Sequence, residues 1–356
     1  MKKDIANYSQ DTESKDVQSL IADLHHIIEQ ARKHVATTAN YELTMMYWHI
    51  GKRINRDVLN DERATYGQQI VATVSRQLQE EHGGKGFDEK NIRRMMQFAN
   101  LFPDEEIVMT LSRQLWWSHF VEVFALKDEL QREFYLTFAS NEHWGVRRLR
   151  KEIDGMLYER TAIATKPEAL VKRELANLRD NDTMTPDLVF KSPYFLEFTG
   201  LTGMYSEKSL EDSLVANLEQ FMLEMGKGFA FIERQKRMII DGEDFYLDLL
   251  FYHRRLHRLI AVDLKLGRFK AQYKGQMELY LRWLEANEME PGEDSPLGLL
   301  LCTEGSEEQI ELLQLDKSCI KVAQYMTELP PRNVLMRQIQ KSLILAKAKH
   351  GKAEDE

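Results

Sequence analysis

The sequence predicts an α+β protein, an all-helical first half followed by a mixed sheet flanked by helices. From about Val17 to Glu159, apolar residues recur at helical spacing, as in Leu20, Leu24, Ile27 and Ile28 and again in Leu43, Met46, Tyr47 and Ile50. After the turn-forming stretch RDNDTMTPD, which ends at Asp187, the period shortens and β-branched and aromatic runs alternate with helical ones. The predicted domains are a helical domain over 16–160, a linker over 161–184, a sheet domain over 185–330 and a basic C-terminal helix and tail over 331–356.

The 356 residues are enough to bury two cores, and 43% apolar with 29% charged residues excludes a disordered chain. A formal net charge of -9 gives no global attraction for nucleic acid, so a polyanion would have to meet a local basic surface. Cys302 and Cys319 form neither a disulfide framework nor a zinc spacing. MKKDIANYSQDTESKD lacks the apolar segment of a signal peptide, and no run approaches the ~20 apolar residues of a membrane span. The expectation is a soluble cytoplasmic protein with no membrane partner.

In the helical half, GQQIVATVSRQLQEEHGGKGFDEKNIRRMMQFANLFP reads as a helix, a turn at Gly83, Gly84 and Gly86, and a second helix capped by Asp88. This is a helix-turn-helix outline. Asn91, Arg93 and Arg94 would face a DNA groove from the second helix, although the same arginines suit a plain solvated face. Trp116, Trp117, Phe120 and Phe124 are expected in the core, and His119, without partners at metal spacing, as a structural histidine. Arg147, Arg148, Arg150 and Lys151 form a short basic face.

A helix is predicted over Glu168–Leu178. Beyond it the predicted order is strand 194–198, helix 209–225, strand 229–240, turn DGED, strand 245–253, strand 259–264, helix 271–286, strand 297–302, helix 307–313 and strand 320–323. The tail from Arg332 to Lys352 carries no acidic residue and reads as a basic helix that faces either phosphate or water.

The chemistry concentrates in LIAVDLKLGR, residues 259–268. Side chains two apart on a strand share a face, so Asp263 and Lys265 point together while Leu264 packs behind. Asp248, in FYLDLLFYH, repeats the anomaly fifteen positions earlier. Burying such groups without compensation costs several kcal/mol, about 2–7 for a polar group and more for a charge. Two readings offset that cost: a buried salt bridge to Lys265, or a negative socket for a hard divalent cation.

Helix, strand carboxylate, then acidic-x-Lys on the next strand resembles the PD-(D/E)XK nuclease superfamily. LEDSLVANLEQFMLEMGKGFAFIERQ and YLDLLFYHRRLHRLIAVDLKLGRFKAQYKGQMELYL resemble the YhcG-type PDDEXK nuclease family, over roughly residues 185–330. GKGFDEKNIRRMMQFANLFP and WGVRRLRKEI resemble the helical domain that accompanies it. The resemblance implies a restriction-endonuclease-like fold and metal-dependent phosphodiester hydrolysis with Mg²⁺ or Mn²⁺. It makes Asp248, Asp263 and Glu211 metal ligands, with Glu219 as a lesser candidate on the same helix, and Lys265 the group that steadies charge or water. Gln276 and Tyr280 resemble the Q-x-x-x-Y element, one implied catalytic and the other in contact with nucleic acid; at i, i+4 they share a helix face. Close relatives carry Glu where this chain has Asp263, one methylene shorter. Pro186-Asp187, despite its literal spelling, has no acidic-x-Lys partner, since Glu197 is followed by Phe198 and Thr199.

Arg254, Arg255, Arg258, Arg268, Lys270 and Lys274 flank the catalytic strands in sequence and read as a basic rim for a phosphate backbone. The partner expected is nucleic acid, with DNA preferred, and self-association is left open. A nuclease-fold protein that binds nucleic acid or acts as a scaffold without turnover is the alternative, and a purely structural interaction protein is the third.

Overall fold

The computed structural model describes residues 2–59, 64–83, 86–305, 307–313, 315 and 318–353. Gly84 of the predicted turn lies outside them. The chain divides into two compact units, Met1–Leu149 and Arg150–Glu356.

The first unit is helical: α1 (Lys2–Leu59), α2 (Ala64–His82), α3 (Glu89–Leu101), α4 (Glu105–Ser112), α5 (Trp117–Val123), α6 (Glu129–Asn141) and the start of α7 (Val146–Asp154). Asp88 caps α3 by accepting the Asn91 N–H, as the sequence predicts, and Asp104 and Asp128 cap α4 and α6 in the same way. Ile92, Met95, Phe98 and Ala99 form the buried face of α3. The backbones of α1 and α3 approach so closely that a Cβ on Gly51 would meet the Met95 carbonyl oxygen at 1.9 Å. Phe98 is fully buried and stacks with Phe102, Trp117, Phe120 and Phe124. Trp116 departs from the core expectation: it starts α5 and is 57% exposed, because helical spacing fixes a face only once the helix has begun.

In the second unit the stretch expected as a linker is ordered. After α8 (Leu157–Arg160) and a 3-10 turn, α9 (Glu168–Asn181) buries Val171, Leu175 and Leu178, so its apolar stripe binds it to the unit. Then follow α10 (Pro186–Val189), β1 (Tyr194–Phe195), α11 (Glu207–Ala216), α12 (Leu218–Met225), β2 (Phe229–Ile240), β3 (Glu243–His253), β4 (Arg258–Arg268), α13 (Ala271–Asn287), β5 (Leu297–Glu304), α14 (Glu307–Leu312), β6 (Ile320–Met326) and α15 (Arg332–Ala353). The single helix predicted over 209–225 is two, broken at Asn217, which caps the first and opens the second.

The six strands form one mixed sheet in the order β1-β6-β5-β4-β3-β2; β1, β6, β5 and β4 run parallel, while β4, β3 and β2 alternate. One face packs on α11 and α12 through Leu210, Leu214, Phe221, Phe251, Val262 and Leu264. The other packs on α13 through Met277, Tyr280, Leu250, Ala261, Leu300 and Cys302. The basic helix α15 does not stand free, since Leu335 and Ile339 are buried beside Met156 and Arg332 pairs with Asp154 at 2.6 Å. No helix among the described residues is long and apolar enough to cross a membrane.

Candidate active site

Strand alternation delivers the predicted face: Leu264 lies in the core beneath α11 while Asp263, only 3% exposed, projects the other way with Lys265. On β5 their partners are Leu300 and Cys302. The β3–β4 ladder reaches Leu249↔Val262 and goes no further. At that fork Asp248 Oδ2 accepts the Leu264 N–H at 2.7 Å, so a side chain takes over where a backbone carbonyl would have continued the ladder. Alternation slips at the same place, since Leu247 packs on the α13 side and Leu249 on the α11 side. Asp248 therefore sits where the sheet opens.

The charges are tightly coupled. Lys265 Nζ lies 2.7 Å from Asp263 Oδ2. Burial raises the Asp263 carboxyl well above the usual carboxylate range; the charge of Asp248 adds to this, and Lys265 pulls back. For Lys265, burial opposes the charge, but the carboxylates of Asp263, Asp248 and Glu207 outweigh it and raise its pKa. Glu211, 5% exposed on α11, is also raised, by burial first and then by Asp248, against the opposing charge of Arg234.

Two neighbours on β2 have no counterpart in the sequence prediction. Arg234 Nε donates to Glu211 Oε1 at 3.0 Å and its Nη2 to Asp212 Oδ1 at 2.8 Å. Gln235 Nε2 donates to Glu211 Oε2 at 2.7 Å and to Asp248 Oδ1 at 3.2 Å. The backbone of Gln235 is left-handed, with φ at +50°. The sequence signal available was the polar run Glu233-Arg234-Gln235-Lys236-Arg237 between two apolar halves of the strand, but such a run also fits a solvated edge.

Among the described residues, no three acidic, imidazole or thiol groups stand close enough to form a ready cation cage. The expected trio of Asp248, Asp263 and Glu211 is thus corrected to a neighbouring pair, Asp248 and Asp263, with Glu211 tied to Asp248 through Gln235. Two carboxylates still suit Mg²⁺, which takes one or two protein carboxylates and completes its shell with water and substrate phosphate.

The remaining predicted residues divide by position. Gln276 Nε2 donates to the Tyr280 hydroxyl at 2.6 Å, and that hydroxyl donates to the Tyr246 carbonyl on β3 at 3.3 Å, so the pair braces the open end of the sheet. Lys270 is exposed at the start of α13, and Arg268, exposed at the end of β4, pairs with Glu304 at 2.8 Å. Lys274 pairs with Glu278 at 3.5 Å. Arg254, Arg255 and Arg258 lie at the other end, around the β3–β4 turn, five residues or roughly 17 Å of strand from the carboxylates. There Arg255 pairs with Asp182 at 2.5 Å and Arg258 with Asp294 at 2.9 Å. Closeness in sequence does not become closeness in space, because a hairpin carries its turn away from mid-strand. Glu219 is exposed on α12, past the break at Asn217. Asp187 is held by Lys321 at 3.0 Å and Lys166 at 3.5 Å, and Glu197 occupies a short 3-10 turn.

In the first unit, Asn91 spends its side chain on the Gly86 carbonyl at 2.5 Å, Arg93 is exposed and pairs with Glu89 at 3.5 Å, and Arg94 is half-buried. His119 is buried, with Nδ1 accepting the Trp116 N–H at 3.0 Å and Nε2 3.0 Å from the Trp144 carbonyl; burial lowers its pKa. It holds the helices together.

Residues 187–343 match the YhcG PDDEXK nuclease domain, and residues 23–160 match the DUF1016 N-terminal domain. Escherichia coli (strain K12) "Putative nuclease YhcG" is 32% identical over 345 residues, covering 88% of this chain and 91% of that protein. Among solved structures, a repair endonuclease from Pyrococcus abyssi matches at 20% identity and TM-score 0.26, over 37% of this chain and 50% of that one. An EndoMS–dsDNA complex matches at 18% identity and TM-score 0.26, over 37% and 47%. The chain thus spans about half the length of these solved structures. It belongs to the YhcG family of PDDEXK nucleases, with a helical DUF1016 domain followed in sequence by a restriction-endonuclease-like α+β domain.

Proposed function

We propose that the protein hydrolyses phosphodiester bonds of nucleic acid, with DNA as substrate, and uses a divalent cation, Mg²⁺ or Mn²⁺. The observation that carries this reading is the meeting at the fork of the sheet of Asp248, held by the Leu264 amide at 2.7 Å, and the buried Asp263, with Lys265 Nζ 2.7 Å from it. A buried salt bridge alone would leave surplus negative charge in a nearly dry site, and hard oxygen donors with that surplus fit a hard cation. When bound there, the cation supplies Lewis-acid polarisation of the scissile phosphate and a water of lowered pKa.

The residues of the chain do the rest. Asp248 and Asp263 orient the attacking side, with Asp248 itself fixed by the Leu264 amide. Lys265 stabilises the charge that develops on the phosphoryl oxygens, and its ammonium lies 5.4 Å from the Tyr273 ring centre, which limits its wandering. Tyr280 and Gln276 keep β3 and α13 in register behind the site. Arg268 and Lys270, beyond Lys265 on the open side, offer cations to the phosphate backbone.

The test incubates wild type and Asp263→Asn with DNA and RNA of one sequence, in Mg²⁺, Mn²⁺ or EDTA. Cation-dependent DNA products from wild type alone are expected. Binding without products would replace the enzyme with a silent nucleic-acid-binding protein, and cleavage of RNA only would overturn the choice of DNA.

A further inference from the structure

The geometry points to Gln235 as a positioning residue of the nuclease site, one that ties the Asp248 carboxylate to Glu211 and so sets the affinity of the Asp248–Asp263 pair for the cation. A single amide nitrogen spans Glu211 on α11 at 2.7 Å and Asp248 on β3 at 3.2 Å. These elements are far apart in sequence and have no other direct bond between these two side chains among the described contacts. Asp248 cannot turn freely, because its second oxygen holds the Leu264 amide. Gln235 holds the first oxygen, Oδ1, and anchors it to Glu211, which Arg234 also fixes, so the orientation of the Asp248 carboxylate is completed from the side of β2 and α11.

The backbone of Gln235 carries a cost that the strand does not need. Its φ of +50° is left-handed, where an L side chain is disfavoured, yet Arg234↔Leu249 and Lys236↔Leu247 pair normally on either side. A residue kept in that region inside a strand, rather than glycine, points to a demand on its side chain. That demand is the bridge. Groups that orient metal-ligating carboxylates govern cation affinity by about 10–100-fold.

The inference rests on the nuclease reading of the site, and the experiment separates the two. Gln235→Gly, Gln235→Asn and Asp263→Asn are compared with wild type in the full chain, by Mn²⁺ calorimetry, thermal melting and steady-state DNA cleavage. Glycine relieves the left-handed backbone, so Gln235→Gly is expected to melt at or above the wild-type temperature while its Mn²⁺ Kd rises about tenfold. Asparagine tolerates left-handed φ but is one methylene too short, so Gln235→Asn should weaken Mn²⁺ in the same way. In both, kcat falls while KM for DNA holds. A lower melting temperature with unchanged Mn²⁺ Kd and kcat would make Gln235 an ordinary strand residue and overturn the inference alone. Wild-type protein that does not bind Mn²⁺, or Asp263→Asn that binds it equally well, would overturn both the inference and the site.

Discussion

The two units distribute buried charge differently: the sheet unit gathers like charges at one fork. In the helical unit the buried Arg132 donates to the Leu126 and Lys127 carbonyls, and several neutral groups are answered nearby: Asn55 donates to the Met96 carbonyl and to Asn100, Ser75 to the Phe87 carbonyl, and Trp48 to the Phe102 carbonyl. Each of these neutral groups fixes one helix against its neighbour at ordinary hydrogen-bond cost. In the sheet unit the buried groups at the fork are ionisable and crowd one another, with Glu211 and Asp263 almost fully covered and Asp248 and Lys265 beside them. Crowding of like charge is a poor way to stabilise a fold and a common way to build a reactive site. The contrast identifies one unit as packed for stability and the other as carrying an electrostatic burden in one place.

The largest expected effect breaks the burdened site. Asp263→Asn keeps the shape but removes the coupled charge, and DNA cleavage should fall on the order of 10⁴-fold, with the melting temperature preserved. Kinetics and calorimetric melting on one preparation check both halves. A comparable drop in stability would mean that the carboxylate serves packing after all.

Next, Phe98→Ala should destabilise the helical unit by roughly 3–4 kcal/mol, since the ring is fully buried in an aromatic cluster. Mn²⁺ affinity at the sheet should stay at its wild-type value. Denaturant unfolding followed by tryptophan fluorescence, with a parallel Mn²⁺ titration, sharpens the separation of roles.

A third prediction concerns acid. His253 is fully buried at the end of β3, where its ring packs on Phe229 and lies so near the left-handed Gly228 that a Cβ there would meet Nε2 at 2.8 Å. Burial pushes its pKa down to about 4, below the ordinary 6.5, with the Arg255 charge acting in the same direction. The folded state thus keeps the ring neutral while the unfolded chain takes the proton first. Its contribution is complete above about 6.5 and is lost as pH falls toward 4, by on the order of 3 kcal/mol. Urea unfolding of wild type and His253→Asn across that window should show wild type losing more stability toward acid than the variant, the difference between the two slopes being the histidine's share.

The smallest effect lies at a helix end. Asp88→Ala removes the cap of α3 and should cost about 1 kcal/mol without touching turnover. A fall in DNA affinity at unchanged stability would instead give this helix the groove-facing role that its sequence outline allows.

Legibility followed the range of the interactions. The shared strand face of Asp263 and Lys265 could be read because their oddity is local and alternation tells which side a strand residue takes; the side taken by Asp248 could not, because alternation slips between Leu247 and Leu249. The strand β2 and the cap at Asp88 were readable for the same reason. Gln235 was not, since its importance comes from a backbone twist and from partners 13 and 24 positions away. The arginines of HRRLHR were placed beside the site by sequence distance and removed from it by the hairpin. The segment 161–184 looked like a linker because its punctuation is strong, yet α9 buries three aliphatic side chains. Glu219 shared an expected helix with Glu211 until Asn217 divided it.

The bond from the Leu264 amide to Asp248 has a practical consequence. Because that proton rests on a side-chain carboxylate oxygen and not on a peptide carbonyl, whatever happens to the carboxylate is written onto one main-chain resonance. Its chemical shift and exchange with deuterated solvent form a gauge, intrinsic to the chain and needing no label near the reacting groups, of how the fork is filled from moment to moment.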